Sequence, residues 1–168
     1  MLKQRLDGQI INGNGTAPNL RGFLNVVGIQ TQAKGADPVP DAIRKAMDLI
    51  RLNGRAEPSH VLMHTSDIQD LQLLRTADGL YIWGHPAVAG PQGVWGVPIV
   101  RCDSLTAGTA LVGDFTNFSF LAVRQGVEVE VTNAHSTFFI EGKQAIRATV
   151  RVALAPLRPL ALCTITGI

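Results

Sequence analysis

Cysteine is scarce in this chain. There are two, Cys102 and Cys163, in 168 residues. They stand far apart and form neither a C-x-x-C pair nor a metal-spaced cluster, which excludes a disulfide-stapled scaffold and a cysteine-built metal centre. The expectation is two reduced, packed thiols in a cytosolic product. Charge is also sparse: 17% of residues are charged and the formal net charge is +2. Low charge with 46% apolar residues excludes the disordered class, and +2 is too weak to argue for a nucleic-acid partner. A long apolar run is missing as well. The most apolar stretch, residues 150–165, is broken by Arg151, Pro156, Arg158 and Pro159, short of the roughly 20 residues a membrane span needs. Met1-Leu2-Lys3-Gln4-Arg5 is followed by no apolar core of a secretory signal. No repeat or low-complexity segment stands out.

What is present is the composition of one globular domain with a real core, or of one such domain plus an extension. The 17 glycines and 9 prolines predict short elements and many turns. Residues 1–36 carry Asp7-Gly8, Asn12-Gly13 and Gly15 between short apolar pieces, so little regular structure and one short strand are expected there. A helix is predicted over 38–52, with Asp37 as N-cap, Pro38 at the first helical position and Asn53-Gly54 as its end. Ala42, Ile43, Ala46, Met47 and Ile50 line one face at helical spacing. Asp41–Lys45 and Arg44–Asp48 stand four apart on the other. A strand over 60–64 leads to a second helix, started by a Ser66/Gln69 capping box and buried through Ile68, Leu71 and Leu74. A loop runs on to Gly93. Strands follow over 97–102, 109–113 and 117–124. Val127, Val129 and Val131 alternate with Glu128 and Glu130 as a half-buried strand. A long final strand carries Ile146, Ala148, Val150, Val152 and Leu154 on one face, and Pro156 and Pro159 mark its edge, bulge or exit. The fold class is α+β with one sheet-centred core.

No catalytic constellation emerges. His60 and His64 would share a helix face, but the residues between them read as a strand and no third ligand lies near. Cys102 has no base beside it on its own strand face. The serines lack a G-x-S-x-G elbow. Gly13-Asn14-Gly15 opens no helix, so a phosphate loop fails on context. Glu128 and Glu130 read as solvated charges. After Glu141 no acid appears, whereas Lys143, Arg147, Arg151 and Arg158 do. This basic segment is assigned to protein contacts, because it lacks the aromatic platforms of a nucleic-acid surface. No catalytic, cofactor-binding or metal residue is assigned. A small α/β enzyme using His64 and Asp67 is kept as the weaker alternative, and it needs a cleft on which both converge.

Several stretches resemble the major capsid proteins of tailed bacteriophages. They are Arg21-Gly22-Phe23-Leu24-Asn25, Ile50-Arg51-Leu52-Asn53-Gly54, Asp78-Gly79-Leu80-Tyr81 and Trp95-Gly96-Val97-Pro98. They continue through Ala107-Gly108-Thr109-Ala110-Leu111-Val112-Gly113-Asp114-Phe115, Arg124-Gln125-Gly126, Val129-Glu130-Val131-Thr132-Asn133 and Ala145-Ile146-Arg147-Ala148. Each is short, but together they run in order from about residue 12 to 160. The resemblance implies the C-terminal part of a shell subunit: an axial domain over 36–140, a peripheral strand/turn segment over 1–35, and a long C-terminal strand over 141–168 returning to the peripheral domain. It also implies that the family's N-terminal arm, extended loop and spine helix are outside this sequence. The chain departs from the family pattern at Glu141-Gly142-Lys143 and Thr149, where an asparagine and an acid are more usual. The implied partners are other copies of the chain, in pentamers and hexamers of an icosahedral shell. Packaged DNA is met only indirectly, and neither a membrane nor a small-molecule ligand is expected. The implied location is the virion, with the host cytoplasm during expression. An encapsulin-like nanocompartment is the alternative on the same fold. Candidate intersubunit contacts are Tyr81, Trp83, His85 and Trp95 in the loop region and Lys143, Arg147 and Arg151 in the basic segment.

Overall fold

The computed structural model describes residues 2–83 and 93–168. The chain opens with α1 (Leu2–Asn12), then a 3-10 turn (Phe23–Asn25), β1 (Gln30–Ala33), α2 (Val39–Leu49) and a π-helical turn (Ile50–Gly54). Next come β2 (His60–Met63), α3 (Thr65–Gln72), β3 (Gly93–Val94), β4 (Val97–Arg101), β5 (Thr109–Gly113) and the single-turn α4 (Phe115–Phe118). The long β6 (Ser119–Thr132) and β7 (Ala145–Pro156) follow, then a 3-10 turn (Pro159–Ala161) and β8 (Leu162–Thr166).

The core is a six-stranded mixed sheet in the order β1-β8-β5-β2-β4-β3. The alternation of side chains along a strand divides its apolar residues between two faces. Val61 and Met63 of β2, Ala110 and Val112 of β5, and Cys163 and Ile165 of β8 face α2 and α3. There they pack on Ala42, Ile43, Ala46, Met47, Ile68 and Leu71. Leu62, Leu111 and Leu162, one residue out of phase, pack on the other face with Ile11 of α1, Phe23 and Leu105. Full burial of Ile43 or Met47 contributes about 1.5–3 kcal/mol each. The face under α2 is the larger of the two cores.

The first correction concerns residues 1–36. The short strand is present as β1, but α1 occupies the segment expected to be irregular. Leu2, Leu6 and Ile10 recur at i, i+4, i+8, and that helical period outweighs the Asp7-Gly8 turn signal. The later glycines act through close packing. A Cβ on Gly13 would lie 2.3 Å from the Leu20 carbonyl oxygen, and one on Gly22 would lie 2.5 Å from the Ile11 oxygen. Only bare backbone lets the 13–22 turn close on the end of α1.

The second correction concerns caps. Pro38 is the N-cap of α2 and accepts no side-chain cap. Asp37 instead pairs with Lys45 at 2.5 Å, so the expected Asp41–Lys45 pair gives way, while Arg44–Asp48 forms at 3.3 Å. The helical segment ends at Asn53-Gly54 as expected, but its last turn is not α-helical. It widens into a π turn, and Arg55 takes the left-handed conformation (φ 48°). Gly54 serves contact: a Cβ there would sit 2.3 Å from the Leu160 oxygen. At α3 the cap is His64, whose ring Nδ1 accepts from the Ser66 N–H at 3.2 Å, in place of the expected Ser66 box.

The third correction concerns the C-terminal strands. The predicted strands 117–124 and 127–131 are one continuous strand, β6, paired antiparallel with β7 in a separate two-stranded ribbon. Residues 141–168 are not one long strand. β7 ends at Pro156, the chain turns at Pro159–Ala161, and β8 enters the six-stranded sheet between β1 and β5. The prolines mark the exit, as a residue without an N–H donor should.

Candidate functional site

The ribbon is the part of the molecule whose surface its own fold leaves unexplained. It starts at a rigid base. Asp114 is buried (2% exposed) and caps α4, accepting from the Asn117 N–H at 3.1 Å and from Asn117 Nδ2 at 2.9 Å. Ser59 Oγ accepts from the Phe115 N–H at 3.0 Å and donates to the Gly113 oxygen at 3.2 Å. Phe115 meets Phe23 edge-on with ring centroids 5.4 Å apart. On the return strand, Leu157 N–H donates to the Phe118 oxygen at 2.8 Å. Arg158 stacks over Phe118 at 4.4 Å and donates to the Gly54 oxygen at 3.0 Å. These contacts fix the direction in which β6 and β7 leave the sheet.

Along the ribbon, β6 carries two register shifts, one between Val123 and Gln125 and one between Gln125 and Glu128. One bulge would flip every later side chain to the opposite face; two restore the original face. Leu121 and Val123 therefore share a face with Val129 and Val131, opposite Leu154, Val152, Ala148 and Ile146 of β7. The result is a continuous apolar stripe. It was expected to be half-buried, but Val123, Val127, Val129, Val131 and Ile146 are all exposed. The opposite face pairs Glu130 with Arg147 and Glu128 with Thr149.

The ribbon ends in a structured turn over residues 133–144. Thr137 Oγ donates to Glu141 at 2.7 Å, and Lys143 Nζ pairs with the same carboxylate at 2.5 Å. These partners, Lys143 first, hold the Glu141 carboxyl below its usual range. His135 packs edge-on against Phe138 at 5.3 Å. The turn presents Phe139 and Ile140, 77% and 86% exposed, at the far end of the ribbon. The consecutive apolar residues Phe138-Phe139-Ile140 between turn signals were the sequence feature that could have singled out this tip.

The candidate contacts fall into two places. Tyr81 is paired with Arg75, whose guanidinium lies 4.3 Å over its ring and also donates to its hydroxyl. Trp83 packs against the larger core, and its buried Nε1 has no hydrogen-bond partner among the described residues. His85 lies outside the described residues. Trp95 turns the β3–β4 hairpin with φ 53°, donates from Nε1 to the Pro40 oxygen at 2.8 Å and lies 6.0 Å from the Arg44 guanidinium. Lys143, Arg147 and Arg151 lie on the ribbon instead. Arg147 Nε donates to Glu130 at 3.0 Å, and Arg151 stands opposite Gln125 with no ion-pair partner among the described residues.

Among the described residues, clefts lie along α1, and one of them is at the ribbon base. One of about 380 Å³ lies between α1, the sheet and the start of the ribbon and is lined mainly by apolar side chains, His60 among them. A second, of about 460 Å³, shares Ile10, Ile11, Leu62 and Val100 with it and opens toward Asp7 and Asp103. The third, about 510 Å³, lies between α1 and residues 148–152. His64 and Asp67 line none of these. Asp67 is buried and accepts from the Gly108 N–H at 3.0 Å, which makes it a loop tether. Cys163 is buried, and burial pushes its thiol up to about 11. Arg51 holds the Glu57 carboxyl below its usual range on the exposed end of α2. No helix of the described residues is long and apolar enough to cross a membrane.

A mixed sheet with helices on it, a long two-stranded ribbon and the ordered motifs above agree with the capsid-protein fold that the resemblance implies. The profile of the phage capsid family matches residues 2–167, and the chain belongs to that family. It is 30% identical over 158 residues to the major capsid protein of Enterobacteria phage HK97, which covers 93% of this chain and 41% of that protein. The fold is shared with a Microbacterium phage Oxtober96 structure (17% identity, TM-score 0.76, 98% of this chain and 61% of the other). It is also shared with the SrpI encapsulin of Synechococcus elongatus PCC 7942 (19% identity, TM-score 0.66, 99% and 61%). The chain thus spans 41–61% of the length of these relatives. The resemblance read from the sequence and the expected capsid-protein fold are both borne out.

Proposed function

We propose that this chain is a wall subunit of a bacteriophage shell and works by binding other copies of itself. One observation carries the reading: the ribbon displays a continuous apolar stripe and an apolar tip that the described residues do not cover. Exposed contiguous apolar surface on a rigid support marks an interaction surface. The phage reading is preferred to a nanocompartment because the 30% identical relative is a phage major capsid protein, whereas the encapsulin likeness, at 19% identity, speaks for fold alone. Virion location and pentamer and hexamer contacts follow from this reading, with packaged DNA touched only indirectly. The same reading takes no small-molecule ligand and no catalysis.

Tyr81, Trp83, His85, Trp95, Lys143, Arg147 and Arg151 are kept as contact candidates. Arg151 and Trp95 are the better supported. Arg151 lacks an ion-pair partner among the described residues, and Trp95 is 55% exposed on a turn held to α2. The assignment of 36–140 as axial, with 1–35 and 141–168 as its peripheral flanks, is also carried as a proposal. The shared sheet ties the flanks to the centre through β1 and β8. Sedimentation velocity of the whole chain over a concentration series tests the reading. Reversible association is expected; a monomer at every soluble concentration would contradict it.

A further inference from the structure

The ribbon carries two apolar features at its opposite ends. At the base is the cleft of about 380 Å³, floored by Leu62 and Val100 where the cover of α1 stops, and walled by Ile10, Ile11, Phe120 and Leu154. At the tip are Phe139 and Ile140, the latter the most exposed large apolar side chain among the described residues. Neither feature is filled or covered by the described residues. The turn that carries the tip is braced by Thr137, Glu141 and Lys143, so the two side chains are presented on a preformed support.

The tip cannot enter the cleft of its own molecule. Ser119 lines the cleft, and β6 runs 14 residues from there before the turn begins. At roughly 3.3 Å per residue the strand carries the tip on the order of 40 Å away. The Asp114 and Arg158 contacts hold that base in place. A feature and its complement held apart on one rigid body can meet only between molecules. Exchanged reciprocally, such a contact closes a pair; made head to tail, it leaves a further tip and a further base open and propagates until a ring or shell closes.

We infer that Phe139 and Ile140 of one copy insert into the cleft at the ribbon base of a second copy. The inference rests on the shell-subunit reading and specifies one contact of it. The occupant is apolar on both sides, so this contact is held by surface removed from water. Added salt leaves it intact, in contrast to a contact made through Arg151.

The test replaces Phe139 with p-benzoylphenylalanine in the whole chain and mixes it with isotope-labelled chain lacking the probe. Irradiation is done at a concentration where sedimentation shows association. Adducts to the labelled copy are expected at Ile10, Ile11, Leu62, Val100 or Phe120. The double substitution Phe139→Ser, Ile140→Ser is expected to weaken association about tenfold or more, as loss of a central apolar anchor does. The urea midpoint should stay unchanged, because both residues are exposed. Adducts on residues 133–144 of the second copy, adducts on α2 or the Trp95 turn, or unaltered association of the double variant would overturn the tip-in-cleft contact while leaving self-association standing. A wild-type chain that never associates would remove the shell reading and this contact together.

Discussion

Single residues set the stability of the sheet and the aim of the ribbon. Gly54 is forced by contact, because any Cβ there meets the Leu160 oxygen at 2.3 Å. Gly54→Ala should lower stability by about 1–3 kcal/mol, the usual range for overpacking, read as a shift in urea midpoint. Asp114 is a buried carboxylate whose partners are backbone and Asn117. Asp114→Ala should cost about 0.5–2 kcal/mol from the lost cap and loosen the ribbon base, visible as faster amide exchange at Phe115–Phe118. Cys163 has a definite pH signature. Its thiol ordinarily titrates at 9.0 and is pushed up to about 11 by burial. The folded state therefore disfavours the thiolate. The stability this contributes is intact below pH 9 and is lost as the pH rises toward 11. The denaturation midpoint should fall across that window, and Cys163→Ala should abolish this part of the decline. At pH 8 an alkylating reagent should modify the partly exposed Cys102 in the folded chain and reach Cys163 only after unfolding.

At the scale of elements, surface charge and surface apolarity make opposite predictions for the ribbon. Arg151→Glu should change stability by no more than about 0.5 kcal/mol, as is usual for exposed sites, but reduce association more at low salt than at high salt. Val129→Thr with Val131→Thr should be similarly neutral for folding, and any association it weakens should be insensitive to salt. What the sequence showed of these elements depended on how local each signal was. The bounds of β5 and the buried face of α2 were legible because alternation and a 3.6-residue period each suffice over one element. Helix α1 was not, since Asp7-Gly8 and Asn12-Gly13 are strong local turn signals and the competing Leu2, Leu6, Ile10 period is only three residues deep. The caps at Pro38 and His64 were decided by competing local side-chain contacts: Lys45 takes Asp37, and the His64 ring accepts from the Ser66 N–H. Alternation in β6 told which side chains share a face, but burial depends on what lies opposite, and no local pattern encodes that. The Phe139–Ile140 tip had a local signal, the apolar run Phe138-Phe139-Ile140, but its exposure was not readable from that run.

For the whole molecule, one sheet with two unequal apolar faces anchors a ribbon that takes no part in either core beyond its base. The family resemblance was legible because several of its motifs sit at contact-limited positions, such as Gly22 against the Ile11 oxygen, Gly54 against the Leu160 oxygen and Asp114 under α4. The proposed contact surfaces were less legible, because they are defined by what the described residues leave uncovered. The most direct measurement is amide hydrogen exchange of the intact chain in dilute and concentrated solution. Protection should rise with concentration at residues 119–156 and along Ile10, Ile11, Leu62 and Val100, and stay constant in α2 and β8. Association without added protection in the ribbon, or protection confined to α2 and β8, would contradict the account.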